Sequence, residues 1–348
     1  MLKIKAPDTY INEYGILKEA GKYISEYGRN AFIIAGRTAW SKVEPVLSKS
    51  LKEHLISFDL TVMEGYPTYE KIIEYADQAF VKKADIIIGI GGGKICDMAK
   101  AVGNHRNIPV VMIPTVPATC ACWAARSIIY KEDGDFDLQL WNTQNSRLVI
   151  ADTGILKEAP ARYLASGIMD TFAKWYEFEP LIKRDKTDIV LRQDVAIAKL
   201  AYDLLKEFGL KAYDKTADDE EFKQVIDAII FLAGACGSFA NGEAYRGFAH
   251  SYYYASARIP ESRYQLHGEK VAFGLVAQFI LNGEKGSFLR EYLEDIKHYG
   301  ILDTPKDWKS DDPHRSVRKI AESLGDWGGP DQVEAAIWEA GRQIQSIK

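Results

Sequence analysis

The chain of 348 residues lacks any apolar run approaching the ~20 residues that a membrane-spanning helix requires. It also lacks a surplus of positive charge, since 44 lysines and arginines face 49 aspartates and glutamates, with no basic cluster among aromatic residues. These absences argue against a nucleic-acid partner and a membrane partner. The N-terminal residues are charged and carry no apolar segment of a signal peptide, so we expect a cytoplasmic protein.

Cysteine is scarce as well. The four thiols belong to Cys96, Cys120, Cys122 and Cys236, and their spacing fits neither a disulfide framework nor a four-cysteine zinc site. Cys120 and Cys122 are too close together for a CxxC redox pair. We therefore interpret all four as reduced thiols, as is usual for proteins of the cytoplasm.

The first part of the chain alternates between two kinds of pattern. Apolar runs that suit buried parallel strands are 31–36, 55–64, 84–90, 109–115 and 146–152. Helical spacing is found between them, in 13–28 and 69–83. This alternation predicts a doubly wound α/β domain with a parallel sheet.

Strand patterns become scarce after about residue 153. Helical spacing is found in 164–182, 194–209, 221–240, 269–283 and 330–347. We therefore predict an α/β domain over residues 1–153 and an all-helical domain over residues 154–348. The cleft between two such domains is the expected place for a ligand.

Three consecutive glycines, Gly91, Gly92 and Gly93, join a predicted strand to a predicted helix. Glycines weaken such a junction, because they lose more backbone freedom on folding than other residues. Exposed backbone N–H groups at a helix start attract phosphate. The junction is not a Walker loop, because no Ser or Thr follows Lys94. The junction is either a phosphate site or a tight turn without a ligand. Asp97 is expected in the first turn of the following helix, where it either interacts favourably with the helix dipole or orders the loop.

A loop after the next predicted strand contains Thr115 and Thr119 among prolines. It is expected at the carboxyl edge of the sheet, where ligands bind in such folds. Each threonine either hydrogen-bonds a nucleotide or completes a turn.

Two of the six histidines, His250 and His267, lie near or within predicted helices of the second domain. Asp170 lies among apolar residues on another predicted helix, where an unpaired carboxylate would be costly. One aspartate and two histidines match a catalytic Zn²⁺ or Fe²⁺ site that keeps one position open. The alternative is that all three are core residues with satisfied hydrogen bonds.

Together these segments resemble the iron-containing, or group III metal-dependent, alcohol dehydrogenase family, within its glycerol dehydrogenase-like branch. The matching segments are GIGGGKICDMAK, IPTVPATCACWAARSIIY, GIMDTFAKWYE, AHSYYYA and LHGEKVAFG. PATCACW and GIMDTFAKWYE are most similar to the hydroxycarboxylate dehydrogenases of this branch. The resemblance implies a dinucleotide-binding α/β domain followed by an all-helical domain that binds metal and substrate, as in glycerol dehydrogenase and dehydroquinate synthase.

The resemblance also implies roles for particular residues. The metal-ligand positions are Asp170, His250 and His267, and we expect zinc rather than iron. The positions assigned to the dinucleotide are Gly36, Arg37, Thr38, Gly91, Gly92, Gly93, Lys94, Asp97, Thr115 and Thr119. NAD-preferring relatives carry an acidic residue where this chain has Arg37, and an arginine there favours a 2′-phosphate unless it is merely an exposed strand-end residue. We therefore predict NADP(H), with NAD(H) as the alternative cofactor.

Three positions depart from the family pattern. Cys120 replaces an aspartate that faces the polyol in glycerol dehydrogenases, which puts glycerol in doubt. Tyr253 replaces a histidine near the nicotinamide and is predicted to take part in catalysis as a less ready proton relay. Met169 replaces a glycine before the metal aspartate, which narrows the pocket if its side chain points inward.

The predicted activity is metal-dependent hydride transfer with NAD(P), reducing small 2-oxoacids to 2-hydroxyacids. Arg126 is the first candidate to bind the substrate carboxylate, ahead of Arg246 and Lys270, and each of them alternatively forms a surface salt bridge. Other hypotheses are an NAD-dependent glycerol dehydrogenase, a dehydroquinate synthase-like lyase and a catalytically inactive nucleotide-binding protein. We expect a homo-oligomer.

Overall fold

The computed structural model describes residues 4–182, 187–238, 247–284 and 286–348. All strands within these ranges precede residue 153. The strands are β1 (Thr9–Glu13), β2 (Asn30–Ala35), β3 (Ser57–Val62), β4 (Ile86–Gly91), β5 (Val110–Pro114), β6 (Arg126–Tyr130), β7 (Phe136–Trp141) and β8 (Leu148–Asp152). The helices are α1 (Ala20–Ile24), α2 (Arg37–Glu53), α3 (Tyr69–Val81), α4 (Gly93–Arg106), α5 (Thr153–Lys157), α6 (Ala161–Ile182), α7 (Ile189–Tyr213), α8 (Asp219–Asp227), α9 (Ala233–Ala235), α10 (Phe248–Ser256), α11 (His267–Leu281), α12 (Ser287–His298), α13 (Pro313–Ser323) and α14 (Pro330–Ile347).

Six strands form one parallel sheet in the order β1-β8-β5-β4-β2-β3, and β6 and β7 form a separate antiparallel hairpin. This confirms the predicted parallel α/β sheet followed by a helical region. Gly91 at the end of β4 pairs with Pro114 at the end of β5. The register therefore places the glycine junction beside the start of the threonine-containing loop, at the carboxyl edge of the sheet.

The central strands are apolar because helices cover both of their faces. Every residue of β4, β5 and β8 is buried. The edge strand β3 differs from the buried strand predicted for 55–64, since Phe58 and Leu60 are each 36% exposed. Phe58 packs edge-on against Trp40 of α2, with ring centroids 5.7 Å apart. On the other face of β3, Thr61 donates a hydrogen bond to Gln78 of α3, so this edge strand is partly covered on both faces and has no buried residue.

The helical region packs directly on the sheet and on its loops. A Cβ on Gly167 of α6 would lie 2.1 Å from the Pro117 carbonyl oxygen, and one on Gly268 of α11 would lie 1.8 Å from the Ser166 carbonyl oxygen. Helix α6 therefore touches both the threonine-containing loop and the start of α11, which is possible only without side chains at these points. These contacts bring Asp170 and His267 to one place.

The helix predicted for 13–28 is shorter than expected, because the chain leaves β1 at Glu13 and is helical only over a 3₁₀ segment, Ile16–Glu19, and α1. Gly15 interrupts the expected helix, because its φ of +71° is left-handed. The predicted helix 221–240 is observed as α8, a π-helical segment Ala228–Leu232 and α9, and its last two residues lie outside the described residues. The domain boundary at 153/154 stays a prediction. Within the described ranges, no helix is both long and apolar enough to cross a membrane.

Candidate functional site

A cleft of about 770 Å³ lies between the carboxyl edge of the sheet and the helices α6, α10 and α11. The predicted site residues that line it are Gly36, Arg37, Thr38, Gly92, Gly93, Lys94, Asp97, Thr115, Thr119, Cys120, Arg126, Asp170, His250, Tyr253 and His267. Gly91 does not line the cleft, and Arg246 lies outside the described residues. The cleft thus brings together most of the predicted site, and the roles of its members stay predictions.

Asp170, His250 and His267 converge from three different helices. The Nε2 atoms of His250 and His267 lie 3.2 and 3.1 Å from the same oxygen, Oδ1 of Asp170. One ligand atom from each residue lies within 4.8 Å of the other two. One carboxylate and two imidazoles are a donor set that suits Zn²⁺ or Fe²⁺. The residues present therefore fit the metal that the sequence predicts.

Glu177, two helical turns after Asp170 on α6, fixes the orientation of His250. Glu177 is 3% exposed and accepts a 2.9 Å hydrogen bond from the His250 backbone N–H. Its other carboxylate oxygen pairs with His250 Nδ1. A carboxylate on the far nitrogen of a ligating histidine holds the ring and leaves Nε2 for the metal. The sequence analysis missed this residue, although it lies within the GIMDTFAKWYE motif.

The three donors have perturbed pKa values. Burial alone would raise the pKa of Asp170, but Lys174 and both imidazoles hold it well below its usual range. Burial alone would lower the pKa of His250, yet Glu177 and Asp170 raise it overall. At His267 burial prevails and lowers the pKa. Asp170 is thus a carboxylate, and His267 favours the neutral form that a metal ligand requires.

The glycines of the junction differ in how much space surrounds them. Gly91 has a φ of +156°, and a Cβ there would lie 2.7 Å from Ile95 Cγ1. A Cβ on Gly92 would lie 3.0 Å from Val116 Cγ2, whereas one on Gly93 would meet nothing closer than 3.5 Å. Gly91 is therefore required by the protein's own packing, whereas a side chain on Gly92 would require Val116 to shift slightly. Gly92 caps α4 without a side chain, so the first N–H groups of the helix lack intrahelical partners beside the cleft.

Asp97 lies deeper in α4 than predicted. The helix begins at Gly93, so Asp97 falls beyond the first turn and does not face the start of the helix. Its Oδ1 pairs instead with Lys100 Nζ at 3.2 Å. Burial raises the pKa of Asp97, and the charge of Lys100 offsets this only in part. The dipole role is therefore wrong, and the loop-ordering role stays a prediction.

Lys100, which the sequence analysis missed, anchors the loop that carries Thr119 and Cys120. Its side chain is fully buried, and its ammonium donates 2.7 Å hydrogen bonds to the carbonyl oxygens of Ala121 and Ala124. A third bond reaches the carbonyl oxygen of Arg126. Only the three-residue spacing from Asp97 could have suggested this pair.

The threonines of this loop form hydrogen bonds within the loop and with the end of β4. Thr119 Oγ1 accepts a 3.2 Å hydrogen bond from the Ala121 N–H, and the Thr115 N–H donates to the Gly91 carbonyl oxygen at 3.3 Å. Thr119 therefore completes a turn, as one of the two alternatives predicts. Both residues also line the cleft, so contact with a nucleotide stays a prediction.

Tyr253 stands between the metal donors and the hairpin. Its ring centroid is 4.1 Å from that of His267, and Tyr130 of β6 is close enough for the two phenols to influence each other electrostatically. Burial raises the pKa of Tyr253 well above its usual value and that of Tyr130 to about 12. Both hydroxyls therefore stay protonated at neutral pH. Sequence reasoning missed Tyr130, because 123 residues separate it from Tyr253.

Three of the cationic side chains that line the cleft, Arg126, Lys270 and Arg37, differ in how they are paired. Arg126 makes no ion pair and no side-chain hydrogen bond with any residue of the described ranges. Lys270 is 4% exposed and donates a 2.9 Å hydrogen bond to Ser262 Oγ, and burial together with Arg263 lowers its pKa to about 7. Arg37 pairs with Glu64 at the rim, where its side chain is 77% exposed. Within the described ranges, neither Arg126 nor Lys270 forms the surface salt bridge that was its alternative. Arg37, whose alternative was an exposed strand-end residue, is exposed and paired with Glu64.

Comparison with known proteins identifies a single family. Residues 7–153 match the family model named iron-containing alcohol dehydrogenase. The chain is 32% identical over 304 residues to the glycolaldehyde reductase of Halobacterium salinarum, covering 85% of this chain and 82% of that protein. It is 30% identical to a glycerol dehydrogenase of Escherichia coli O6:H1, covering 96% and 95%. It is 32% identical to hydroxycarboxylate dehydrogenase A of Escherichia coli K12, covering 79% and 74%.

A solved structure has the same architecture. The crystal structure of a probable glycerol dehydrogenase from Sinorhizobium meliloti 1021 matches with a TM-score of 0.85 and 23% identity. The match covers 99% of this chain and 100% of that one. At this identity the likeness shows the shared fold, which agrees with the sheet and helical region described above.

Proposed function

Because the chain belongs to the iron-containing alcohol dehydrogenase family, a metal-dependent and NAD-using family of oxidoreductases, we propose that it reduces small 2-oxoacids to 2-hydroxyacids. The observation that carries this proposal is the unpaired guanidinium of Arg126 in the cleft. A 2-oxoacid differs from a simple ketone by its carboxylate, and an arginine is the side chain best suited to bind one.

The two carboxylates that act on Arg126 are each paired with a lysine. Asp97 and Asp170 both act on Arg126 electrostatically. Asp97 is paired with Lys100, and Asp170 with Lys174, at 3.2 Å in each case. A substrate carboxylate is therefore the partner that this guanidinium lacks. Cys120 supports the same choice, because a thiol replaces the acidic group that a polyol site would use.

The family's two cofactors supply the chemistry that amino acids lack. Asp170, His250 and His267 would hold a divalent ion, which would supply Lewis-acid polarisation of the substrate oxygen. A nicotinamide dinucleotide supplies the hydride, and the chain supplies its alignment. Gly92, Gly93 and the start of α4 offer backbone N–H groups to the pyrophosphate.

Proton transfer in the reduction direction is assigned to Tyr253. Its raised pKa keeps a proton on Oη at neutral pH, and its ring lies against the ring of His267, with centroids 4.1 Å apart. We propose that Tyr253 gives this proton to the product oxygen.

NADP(H) is the proposed cofactor, on the strength of Arg37. Its guanidinium is at the rim of the cleft, and an exposed ion pair such as that with Glu64 contributes little to stability. Arg37 can therefore turn from Glu64 to a 2′-phosphate at small cost. The same pairing favours the second candidate function, oxidation of glycerol with NAD. In that case Glu64 is an acidic residue near the ribose of the dinucleotide.

The proposal is tested by replacing Arg126 with leucine. We expect Arg126→Leu to raise KM for 2-oxobutyrate by roughly 10- to 100-fold, the equivalent of one charged hydrogen bond, and to leave KM for butanone nearly unchanged. Arg258→Leu is the matched control, because Arg258 is exposed and outside the cleft lining. Equal changes for both substrates would remove Arg126 from the substrate site. A wild-type enzyme that oxidises glycerol with NAD and ignores 2-oxoacids would establish the second candidate.

A further inference from the structure

Lys174 is a buried cation directly beside the proposed metal site. It lies one turn after Asp170 on α6, and its side chain is 10% exposed. Its Nζ lies 3.2 Å from Asp170 Oδ1 and 3.3 Å from the Asp170 carbonyl oxygen. Within the described ranges these are its only hydrogen-bond partners. Among the described residues, the ammonium therefore contacts Asp170 alone as a polar partner.

The carboxylate oxygen that Lys174 contacts is the one that faces the imidazoles. Oδ1 of Asp170 lies 3.2 Å from His250 Nε2 and 3.1 Å from His267 Nε2. Three nitrogens thus surround a single oxygen. A divalent ion taken up by Asp170 and the two histidines would share this carboxylate with the ammonium, and like charges in a site of low dielectric repel strongly.

Glu177, by contrast, only supports the proposed metal ligands. Its two oxygens are engaged by the backbone and the ring of His250, so it strengthens the donor set. Lys174 acts in the opposite sense, because it stabilises the carboxylate of Asp170 when no ion is present. An i,i+4 pair that merely stabilised α6 would not need to lie at the metal-facing oxygen.

We propose that Lys174 is a tethered competitor of the divalent ion, whose ammonium neutralises Asp170 in the metal-free protein and weakens metal binding. The inference rests on the proposed metal site. It implies that this chain binds its ion less tightly, and exchanges it more readily, than the same three donors would without the lysine.

The test measures Zn²⁺ affinity of the full chain by competition with a chelating dye, after removal of metal by dialysis against EDTA. Lys174→Met and Lys174→Gln are expected to raise the affinity roughly 10- to 100-fold, the range over which residues contacting metal ligands act. Lys174→Arg keeps the charge and is expected to bind Zn²⁺ like the wild type. A larger Zn²⁺-induced rise in Tm of the Met and Gln variants is the second readout.

Lys199→Met is the matched control. Lys199 also forms an i,i+4 pair, with Asp203 on α7, but it is exposed and distant in sequence from the donors. Its loss is expected to leave Zn²⁺ affinity unchanged. Asp170→Asn is expected to abolish tight binding.

The outcomes separate this inference from the proposal on which it rests. Unchanged or weaker Zn²⁺ binding by both neutral Lys174 variants, with binding by the wild type intact, overturns the competitor role alone. A higher KM for 2-oxobutyrate at unchanged Zn²⁺ affinity assigns Lys174 to the substrate instead and also overturns it. Failure of the wild type and the neutral variants alike to bind Zn²⁺ overturns the metal site itself.

Discussion

Two buried lysine–aspartate pairs lie on opposite sides of the cleft. On the sheet side, Lys100 pairs with Asp97 and donates to three loop carbonyls. On the helical side, Lys174 pairs with Asp170, and among the described residues its ammonium has only Asp170 as a partner. The Nζ–Oδ1 distance is 3.2 Å in both.

The difference lies in what else each pair satisfies. Every donor of Lys100 has an acceptor, so the ammonium is a fixed part of the fold that holds the loop at the cleft. Asp170 faces two histidines, and its lysine can be exchanged for another cation. The same pair of residue types is therefore an anchor in one place and a changeable element of a site in the other.

The largest expected effect comes from breaking the anchored pair. Lys100→Met leaves three partly buried carbonyls without this donor and buried Asp97 without its cation, so we expect a loss of about 3–5 kcal/mol of unfolding free energy. Lys174→Met removes hydrogen bonds to one residue that keeps both imidazoles, and we expect a loss of about 1–3 kcal/mol. Urea unfolding monitored by tryptophan fluorescence measures both variants. Equal losses would mean that the two pairs do not differ as described.

A smaller effect on the free energy of unfolding is expected when the pH is lowered. The pKa of Asp170 is held well below its usual range, despite burial, by Lys174 and the imidazoles. Its contribution to stability is therefore present above about pH 4, the ordinary aspartate pKa, and is lost as the pH falls through the folded-state pKa. We expect metal-free Asp170→Asn to be less stable at neutral pH and to lose less stability on acidification. Unfolding free energies between pH 7 and pH 3 measure this.

Asp97→Asn is the control for the acid series. Burial raises the pKa of Asp97, so its contribution has the opposite sign and favours the folded state at low pH. Its replacement should leave the acid loss of stability in place or make it steeper. An acid limb that flattens in Asp97→Asn and persists in Asp170→Asn would reverse our assignment of the two carboxylates.

Much of this arrangement can be predicted from the sequence. Apolar runs predict β2, β4, β5 and β8, because strands covered on both faces admit few polar residues. A carboxylate among apolar residues, and histidines near two other helices, suggest a metal site. Lys174 and Glu177 follow Asp170 by four and seven residues, which is one helical face, so both were open to prediction.

Other features depend on contacts between distant parts of the chain. The carbonyl partners of Lys100 lie 21 to 26 residues further along, in the loop before β6 and at the first residue of β6. The contact of Tyr130 with Tyr253 depends on the hairpin of β6 and β7, whose short, half-polar strands give a weak pattern. Strand β1 was missed for the same reason. Such contacts follow from the assembled fold and not from local periodicity.

The central claim is that Asp170, His250 and His267 together hold a divalent cation in the cleft. Anomalous diffraction at the zinc edge, from crystals of the full chain soaked in Zn²⁺, tests it directly. We predict a peak about 2.0–2.2 Å from a carboxylate oxygen of Asp170 and from Nε2 of both histidines. Absence of a peak at these three residues, or zinc bound only by other side chains, would contradict the account.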